Sequence, residues 1–310
     1  MTSHIPLSLI EAASKNLAGR IRRTPQMEVI LEDGLAVSLK LESLQISGSF
    51  KIRGALNTIL GLDAAALKCG LVTASGGNHG MGVATAGAMT GTPTTIYLPE
   101  NTPASKIEKL HKIASEVVVQ GAVWDDANLL ALEAMEKQGK TYVHPFADKS
   151  VIAGQGTLGL EILEDTPNLD VLLIAIGGGG LISGVASAVK ALKPGIKVIG
   201  IEATGAPTLK RSVDAGKLVT LEEISTRAST LAPRRSAELN LEIITELVDD
   251  IVLVNDAEMQ SSAKWLWQAC GLGVELSAAA AIAALSTKKY VPKSGENVGV
   301  IICGAGPDGF

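Results

Sequence analysis

Short segments rich in apolar residues alternate along the chain with longer segments whose apolar residues recur at helical spacing. Runs rich in β-branched residues predict strands at 36–41, 72–74, 94–98, 116–120, 141–143, 171–176, 197–202, 247–253 and 298–303. Helical spacing predicts helices at 7–18, 50–60, 81–89, 105–113, 125–138, 181–192, 208–215, 256–270 and 277–285, and one more that is entered through 152–157 and ends at Leu163. Because strands and helices alternate, the sequence predicts an α/β fold with parallel sheets.

The sequence pattern changes near Val151. Beyond it, the all-apolar segment 171–176 is typical of a strand that is buried on both faces. We therefore expect two open, twisted, mostly parallel-sheet lobes. A small lobe, residues 59–146, is inserted into a large lobe formed by residues 1–58 and 147–310.

The segment 46–55 isolates one lysine, Lys51, between an aromatic residue and a tight Gly/Ser turn. We predict that Ser49 is the N-cap of the helix 50–60. The positive end of a helix disfavours an ammonium group but suits a neutral amine that awaits a carbonyl partner. For a lysine considered alone, a solvated side chain early in a helix is the commoner alternative.

Four consecutive glycines, Gly177 to Gly180, join a buried strand to a helix. Their N–H groups can converge on an anion at the helix N-terminus, which predicts a phosphate site. The spacing does not fit G-x-G-x-x-G, and the chain has no G-x-x-x-x-G-K-[ST] motif. The alternative is a glycine-rich turn that only lets strand and helix pack closely.

A second glycine-rich turn, Ser75 to Gly80, also follows a strand and precedes a helix. It offers backbone donors for a carboxylate and the Asn78 amide for a ring oxygen. The alternative is a polar loop that caps the following helix. His79 has no partner spacing typical of a catalytic triad or a metal site, so we expect no metal ligands here.

Composition narrows the function classes. Apolar residues are 46% and glycines number 33, which suits an α/β enzyme. The net charge is −5 and the sequence has no basic run. These features exclude a positively charged surface that would bind nucleic acid or an anionic membrane. The three cysteines lack C-x-x-C spacing, which predicts reduced thiols inside a cell. No apolar stretch reaches about 20 residues, so we expect a soluble cytoplasmic protein.

Five motifs, in order and spacing, resemble those of the fold-type II pyridoxal-phosphate enzymes, whose fold is like that of the tryptophan synthase β subunit. They are Ser49-Phe50-Lys51 with Arg53-Gly54-Ala55, Ser75-Gly76-Gly77-Asn78-His79, Gly154-Gln155-Gly156-Thr157, the four glycines, and Cys303-Gly304-Ala305. The sequence is most similar to the branch of threonine/serine dehydratases and serine racemases. The resemblance spans nearly the whole chain.

The resemblance implies a role for each motif around pyridoxal 5′-phosphate. Lys51 holds the cofactor as a Schiff base and then acts as the base at the substrate Cα. Phe50 packs beside the ring, Asn78 bonds its 3′-oxygen, and Cys303 faces the ring nitrogen. The phosphate is held by Gly177, Gly178, Gly179, Gly180 and the Leu181 N–H, and the substrate carboxylate by Ser75, Gly76, Gly77, Asn78 and His79, largely through backbone.

The implied function is a dehydratase (ammonia-lyase) that converts L-threonine, L-serine or a related β-hydroxy amino acid to a 2-oxo acid and ammonia. A thiol at Cys303 supplies no negative charge to the ring nitrogen, which weakens the electron sink and favours expulsion of a β-hydroxyl. The alternatives are a 3-hydroxyaspartate dehydratase, an amino-acid racemase on the same fold, and a non-catalytic metabolite-binding protein. We expect a homodimer or homotetramer.

Two departures from the family pattern bear on this choice. Serine racemases carry a second serine where this chain has Gly76, so we expect racemisation to be poor. Related racemases bind a divalent cation through a Glu and an Asp, whereas here Glu202 is followed by Ala206 and Thr208. One carboxylate is lost, which argues against that metal site and leaves open an Mg²⁺ with few protein ligands. Otherwise Glu202 is an ordinary strand-end carboxylate.

A third departure is the segment Ala232-Pro233-Arg234-Arg235-Ser236, where relatives have an Ala-Asp-Gly turn. One guanidinium group could bind a second substrate carboxylate, and two solvated surface arginines are the alternative. Glu275 and Ser277 resemble a Glu-Pro-Ser motif near the cofactor ring, with Leu276 in place of proline. We expect Cys69 and Cys270 to be buried. The chain ends soon after Cys303, so we expect no appended regulatory domain.

Overall fold

The computed structural model describes residues 4–307 and 309. The strands are β1 (Gln26–Ile30), β2 (Ala36–Lys40), β3 (Leu71–Ala74), β4 (Thr94–Leu98), β5 (Glu116–Val119), β6 (Thr141–Tyr142), β7 (Val171–Ala175), β8 (Lys197–Ala203), β9 (Asp250–Val254) and β10 (Val298–Ile301). The helices are α1 (Leu7–Leu17), α2 (Lys51–Leu60), α3 (Ala64–Cys69), α4 (Asn78–Thr90), α5 (Ala104–His111), α6 (Trp124–Gln138), α7 (Lys149–Asp165), α8 (Gly180–Leu192), α9 (Thr208–Ala215), α10 (Glu238–Leu247), α11 (Asp256–Cys270) and α12 (Leu276–Ser286).

The strands form two sheets. The six-stranded sheet has the order β1-β2-β10-β7-β8-β9, and the four-stranded sheet has the order β5-β4-β3-β6. All strand pairs are parallel except β1 with β2. The α/β class with mostly parallel sheets is confirmed, and the predicted lobe boundaries, 59–146 within 1–58 and 147–310, stay a prediction.

Four segments differ from the sequence prediction, among them β1, α3 and α10, which it did not contain. β1 is an antiparallel edge strand with half-exposed residues, so it lacks the apolar run of a buried strand. The short helix α3 is capped by Asp63, which accepts from the Ala66 N–H at 2.8 Å. The strand predicted at 247–253 begins only at Asp250, because Leu247 is the last residue of α10.

Two of the three thiols are less buried than expected. Cys69 is exposed and Cys270 is half-buried, so the prediction that both are buried was wrong. Cys69 ends α3 and Cys270 ends α11, and a side chain at the end of a surface helix meets solvent. Cys303 is buried. Within residues 4–307 and 309, no helix is both long and apolar enough to span a membrane.

Strand order explains why distant motifs meet. β2, β10 and β7 are neighbours and run parallel, so their carboxyl ends lie at the same edge of the sheet. The chain leaves β2 toward Lys51, β10 toward Cys303 and β7 toward Gly177. Ligand sites of open α/β sheets form at this edge.

Glycines let three helices cross at close range. A Cβ on Gly154 of α7 would lie 2.6 Å from the Arg53 carbonyl oxygen of α2, and one on Gly184 of α8 would lie 2.6 Å from the Gly156 nitrogen of α7. The motif Gly154 to Thr157 lies inside α7, which begins at Lys149, and not in a segment that leads into the helix. Its glycines bring the lysine helix α2 and the glycine-run helix α8 against the same helix.

Candidate active site

Lys51 is the first residue of α2, at the end of a short two-stranded contact. Ser49 pairs with Gly304 in an antiparallel bridge, and the Phe50 N–H donates to the Cys303 carbonyl at 3.2 Å. The N-cap position is Phe50, with no capping side chain, so the prediction of Ser49 as N-cap was wrong. The bridge to Gly304 fixes the helix start instead.

The Lys51 amine lies in a half-buried pocket. Nζ donates to the Pro145 carbonyl at 2.6 Å and lies 5.2 Å from the centroid of the Phe50 ring. Burial lowers the pKa of Lys51 to about 8, while the negative charges of Cys303 (as thiolate) and Glu275 would raise it. A lysine whose pKa is about 8 has a substantial neutral fraction at neutral pH, as a nucleophile or base requires.

The glycine run forms a turn whose carbonyls are engaged behind it. The Gly178 carbonyl accepts from Ser236 Oγ at 2.9 Å and from Asn240 Nδ2 at 2.6 Å. Gly179 has φ +92°, and α8 starts at Gly180. The N–H groups of the first turn of α8, Leu181 included, have no partner inside the helix, and this end attracts an anion.

Close packing also requires these glycines. A Cβ on Gly178 would lie 2.2 Å from the Phe146 ring, and one on Gly180 would lie 2.6 Å from the Phe146 carbonyl oxygen. A Cβ on Gly177 would lie 2.5 Å from the Thr230 carbonyl oxygen. These positions therefore have no space for a side chain, whether or not an anion binds at the turn, and the packing places the turn beside Phe146, which follows Pro145, the partner of Lys51.

The second glycine-rich turn leads directly into a helix. α4 begins at Asn78, three residues before the predicted start, with Gly77 as an extended N-cap. The Gly77 N–H donates to Ser75 Oγ at 3.3 Å. A Cβ on Gly76 would lie 2.9 Å from Thr102 Cγ2. Glycine therefore allows this turn to lie close to the loop between β4 and α5.

The His79 side chain faces the protein interior. Its Nε2 lies 2.8 Å from the Val143 carbonyl oxygen, so Nε2 carries the proton of the neutral ring. Burial and the nearby Lys51 lower the pKa of His79 to about 3. His79 therefore stays neutral, and any contact it makes with a substrate anion is through its backbone.

Asn78, Glu275 and Ser277 form a hydrogen-bonded cluster in which Glu275 and Ser277 are buried and Asn78 is half-buried. Asn78 Nδ2 donates to both carboxylate oxygens of Glu275, at 2.9 and 3.0 Å, and Ser277 Oγ donates to Glu275 Oε1 at 2.6 Å. A Cβ on Gly304 would lie 2.4 Å from Glu275 Oε1. Burial and the Glu275 charge raise the pKa of the Cys303 thiol, which keeps it protonated.

Behind Lys51, the motif residue Arg53 is buried in an ion-pair network. Its guanidinium group binds Glu42 through Nε and Nη2, each at 2.8 Å, and Glu161 through Nη1 at 2.7 Å. Both carboxylates are thereby paired, which offsets the cost of burying the charges. The network ties α2 to α7 at Glu161, about two helical turns beyond Gly154.

The structure brings together most of the predicted site. Lys51, Phe50 and Cys303 are in contact or adjacent, and Asn78 reaches them through Glu275 and Gly304. Sequence reasoning missed the residues that join this group to the glycine run, namely Pro145, Phe146, Ser236 and Asn240. Pro145, Phe146 and Asn240 lie in segments without a local motif. Ser236 ends the segment 232–236, in which the sequence analysis singled out only the arginines.

Two predicted groups have other partners. Arg234 Nε donates to the Leu221 carbonyl at 3.0 Å, and Arg235 Nη1 donates to Thr220 Oγ1 at 2.9 Å, so both arginines brace the loop 218–222. Glu202 accepts the N–H groups of Leu209 and Lys210 at the start of α9, each at 2.8 Å. Burial raises the pKa of Glu202 to about 7.

Thr208, in the place of the carboxylate that the racemases use, donates to the Pro233 carbonyl at 2.7 Å. Among residues 4–307 and 309, no group of three or more His, Cys, Asp or Glu side chains could hold a metal ion.

This fold and site define an α/β enzyme built around a partly neutral lysine, beside a glycine-rich helix start. A family model described as pyridoxal-phosphate dependent enzyme matches residues 18–304. The chain therefore belongs to the family of pyridoxal-phosphate dependent enzymes, which confirms the resemblance.

Individual relatives agree. The chain is 39% identical over 307 residues to an L-threonine ammonia-lyase of Thermotoga maritima, covering 98% of this chain and 76% of that protein. It is 38% identical over 294 residues to the catabolic L-threonine dehydratase of Escherichia coli K12, covering 93% and 89%. The solved structure of maize serine racemase superposes with a TM-score of 0.92 at 33% identity, covering 98% and 94% of the two chains.

The described residues fit pyridoxal 5′-phosphate, the cofactor of this family. Lys51 offers an amine, and the first turn of α8 offers N–H donors. Two buried hydroxyls, Ser49 in front of Phe50 and Ser183 in the first turn of α8, have no hydrogen-bond partner within 4–307 and 309. Buried polar groups without partners are uncommon, and they are typical of a site that binds a polar ligand.

Proposed function

We propose that this chain is a pyridoxal-phosphate dependent ammonia-lyase that converts L-threonine and L-serine to 2-oxo acids and ammonia. Its relatives at 38 to 39% identity are named for threonine. The reaction removes the Cα proton and the β-hydroxyl group, and the released enamine takes up water and loses ammonia. For serine the organic product is pyruvate, and for threonine it is 2-oxobutanoate.

The observation that carries the choice of elimination over racemisation is the glycine at position 76, which has no side-chain hydroxyl group to act as an acid. A Cβ at this position would lie 2.9 Å from Thr102 Cγ2, so a larger residue there would require the Thr102 side chain to shift. Racemisation needs an acid on the face opposite the lysine to return the proton to Cα. Without one, loss of the β-hydroxyl is the favoured outcome.

The chain's own residues would bind and orient the reactants. The glycine run, Gly177 to Gly180, with the Leu181 N–H binds the phosphate, because this helix end favours an anion. Phe50 packs beside the ring and Asn78 donates to its 3′-oxygen. The N–H groups of Ser75, Gly76, Gly77 and His79, at the start of α4, hold the substrate carboxylate.

Proton transfer at Cα is assigned to Lys51. Its pKa of about 8 allows it to accept the proton as a neutral amine and to release it near neutral pH. When bound, the cofactor would supply an electron sink for the negative charge that develops at Cα. The protonated Cys303 thiol would face the ring nitrogen of the bound cofactor without adding charge, which would make the electron sink weaker and favour loss of the β-hydroxyl group.

Steady-state assays of purified enzyme test the proposal. We expect 2-oxo acid and ammonia in equal amounts from L-threonine and L-serine, and lower rates with both diastereomers of 3-hydroxyaspartate. D-serine formation at a rate comparable to that of pyruvate formation would contradict the dehydratase assignment. Preference for hydroxyaspartate would reinstate that alternative, for which the Arg234 and Arg235 contacts to the loop 218–222 give no support.

We propose that the protein is a homodimer or homotetramer in the cytoplasm. Three free cysteines, one of them exposed, suit a reducing compartment. The mass of the purified enzyme in sedimentation equilibrium, and the effect of chelation on its activity, test the oligomeric state and any need for a divalent cation.

A further inference from the structure

The Gly178 carbonyl accepts hydrogen bonds from two side chains to which the proposed function gives no role. Ser236 Oγ donates to it at 2.9 Å and Asn240 Nδ2 at 2.6 Å. Both donors are buried, since Ser236 is 8% exposed and Asn240 is 0% exposed. Ser236 lies just before α10, and Asn240 lies in the first turn of that helix. The start of α10 therefore holds one peptide group of the glycine run.

The contacts of the Asn240 amide fix its orientation. Nδ2 carries two hydrogens, and besides the Gly178 carbonyl it donates to the Phe146 carbonyl at 3.1 Å. Oδ1 is buried and has no hydrogen-bond partner within residues 4–307 and 309. A reversed amide would direct its oxygen at two carbonyl oxygens and lose both hydrogen bonds. The nitrogen therefore faces the glycine run.

Ser236 is the last residue of the segment 232–236, which is bound to the neighbouring loop. Arg234 Nε donates to the Leu221 carbonyl at 3.0 Å, and the Leu221 N–H donates to the Arg234 carbonyl at 2.8 Å. These two hydrogen bonds hold the backbone two residues before Ser236. The segment that departs from the family pattern thus places a donor behind the glycine run.

The geometry of a peptide group carries this contact through to the other side of the turn. The C=O and N–H bonds of a trans peptide point in opposite directions. The Gly178 carbonyl and the Gly179 N–H belong to the same trans peptide, so this N–H points away from Ser236 and Asn240.

The Gly179 N–H is the first donor of the predicted phosphate site. Gly179 is left-handed, with φ +92°, and Gly180 begins α8. A left-handed residue next to a right-handed one turns successive N–H groups to the same side, and such groups bind anions. Among the backbone hydrogen bonds within residues 4–307 and 309, none is donated by the Gly179 N–H. This donor is therefore available to a ligand.

We propose that Ser236 and Asn240 are positioning residues, which hold the Gly178 carbonyl so that the Gly179 N–H faces the phosphate group of the cofactor. Two hydrogen bonds to the carbonyl also polarise the peptide and make its N–H a stronger donor. This inference rests on the proposed cofactor site. It gives that site a second layer of residues, which act on the phosphate alone.

Two ligands that differ only in the phosphate group test the inference without turnover. Pyridoxal 5′-phosphate and pyridoxal carry the same ring and aldehyde, so Lys51 can react with either. Titrations of the full, cofactor-free chain, followed by the absorbance of the bound ligand, give the dissociation constant of each. For a residue that acts on the phosphate, a variant should weaken the binding of pyridoxal 5′-phosphate and spare that of pyridoxal.

Asn240→Leu has a similar shape but no donor. We expect it to weaken the binding of pyridoxal 5′-phosphate about tenfold and that of pyridoxal less than about twofold, because a lost hydrogen bond to a buried carbonyl frees that peptide to turn. Ser236→Ala should weaken the binding of pyridoxal 5′-phosphate about threefold, and Ser236→Thr, which keeps the hydroxyl group, should stay within about twofold of the unaltered chain. If Asn240→Leu does not fold, the two Ser236 variants decide.

Asn297→Leu is the matched control. Asn297 Nδ2 also donates to a backbone carbonyl, that of Asn168 at 3.0 Å, but Asn297 precedes β10 and so lies at the opposite edge of the sheet from the site. This variant should bind both ligands like the unaltered chain.

Equal weakening of both ligands in Asn240→Leu, or equal binding of pyridoxal 5′-phosphate by Ser236→Ala and Ser236→Thr, would overturn the inference. A chain that forms 2-oxo acid while its variants give either result overturns this inference alone. A chain whose variants lose pyridoxal 5′-phosphate selectively, but which forms no 2-oxo acid, overturns the proposed function alone. An unaltered chain that does not bind pyridoxal 5′-phosphate more tightly than pyridoxal overturns both.

Discussion

At the scale of single residues, the chemistry depends on what surrounds three groups that look unremarkable in the sequence. In the sequence, Lys51 is a lysine at a helix start, and in the folded chain burial lowers its pKa to about 8. In the sequence, Cys303 is a lone thiol, and in the folded chain the strand order places it beside Phe50. Gly76 offers no hydroxyl group to the site, and a larger residue there would require the Thr102 side chain to shift.

Gly76 also gives a prediction about reaction choice. We expect Gly76→Ser combined with Thr102→Ala to raise the ratio of D-serine to pyruvate formed from L-serine, because the alanine makes room and the serine supplies an acid. Chiral chromatography of the reaction mixture measures the ratio. Thr102→Ala alone is the matched control. If the double variant forms no more D-serine than this control, the role assigned to Gly76 is wrong.

Part of the site was predictable because its residues are local motifs. Gly177 to Gly180 lie between an apolar strand and a helix, and that order alone indicates an anion site. The contact between Glu275 and Asn78 could not be predicted, because the two residues are 197 positions apart and no local motif joins them. Pro145 acts through its backbone carbonyl, which no side-chain pattern can reveal.

At the scale of elements, the helix α7 aligns the site. Gly154 packs on α2 and Gly156 packs on α8, so one helix sets the distance between Lys51 and the glycine run. The sequence predicted the helix but not the crossing, because a Gly-x-Gly pair has no periodicity of its own. Likewise β1 was missed, since an antiparallel edge strand carries a mixed pattern.

We expect Gly154→Ala to lower the free energy of unfolding by about 1–3 kcal/mol, because its Cβ would lie 2.6 Å from the Arg53 carbonyl oxygen and the helices must separate. Urea denaturation followed by circular dichroism measures the change. Gly195→Ala is the control, since a Cβ there meets no atom within 4 Å. Equal stability of the two variants would show that the crossing of α2 and α7 tolerates a methyl group.

At the scale of the whole molecule, the two sheets meet around α2. The apolar residues Ile52, Leu56 and Ile59 of α2 pack in the same core as Leu71 and Ile96 of the four-stranded sheet. Arg53 of the same helix binds Glu161 of α7. Leu158 and Ile162 of α7 pack in the core of the six-stranded sheet. Stability and cofactor binding should therefore respond together to changes in α2.

The buried His79 predicts how stability depends on pH. Its pKa is about 3 in the folded chain and about 6.5 when unfolded. Between these values the unfolded chain binds more protons, so His79 contributes stability that is present above about pH 6.5 and is lost as the pH falls toward 3. The contribution to the slope is at most about 1.4 kcal/mol per pH unit.

Urea denaturation from pH 4 to pH 7 measures this dependence. His79→Gln keeps a side-chain donor for the Val143 carbonyl but cannot titrate, so its stability should change less with pH than that of the unaltered chain. His111→Gln, at an exposed position, should behave like the unaltered chain. A slope in His79→Gln equal to that of the unaltered chain would contradict the assigned burial.

The central claim is that Lys51 is the cofactor-binding and proton-transferring group of a pyridoxal-phosphate enzyme. The most direct measurement is borohydride reduction of the purified enzyme with pyridoxal 5′-phosphate, followed by peptide mass spectrometry. We predict that the reduced cofactor is found covalently on Lys51, at about one per chain, and that Lys51→Ala carries none and forms no 2-oxo acid. Cofactor attached to another lysine, or full activity in Lys51→Ala, would contradict the account.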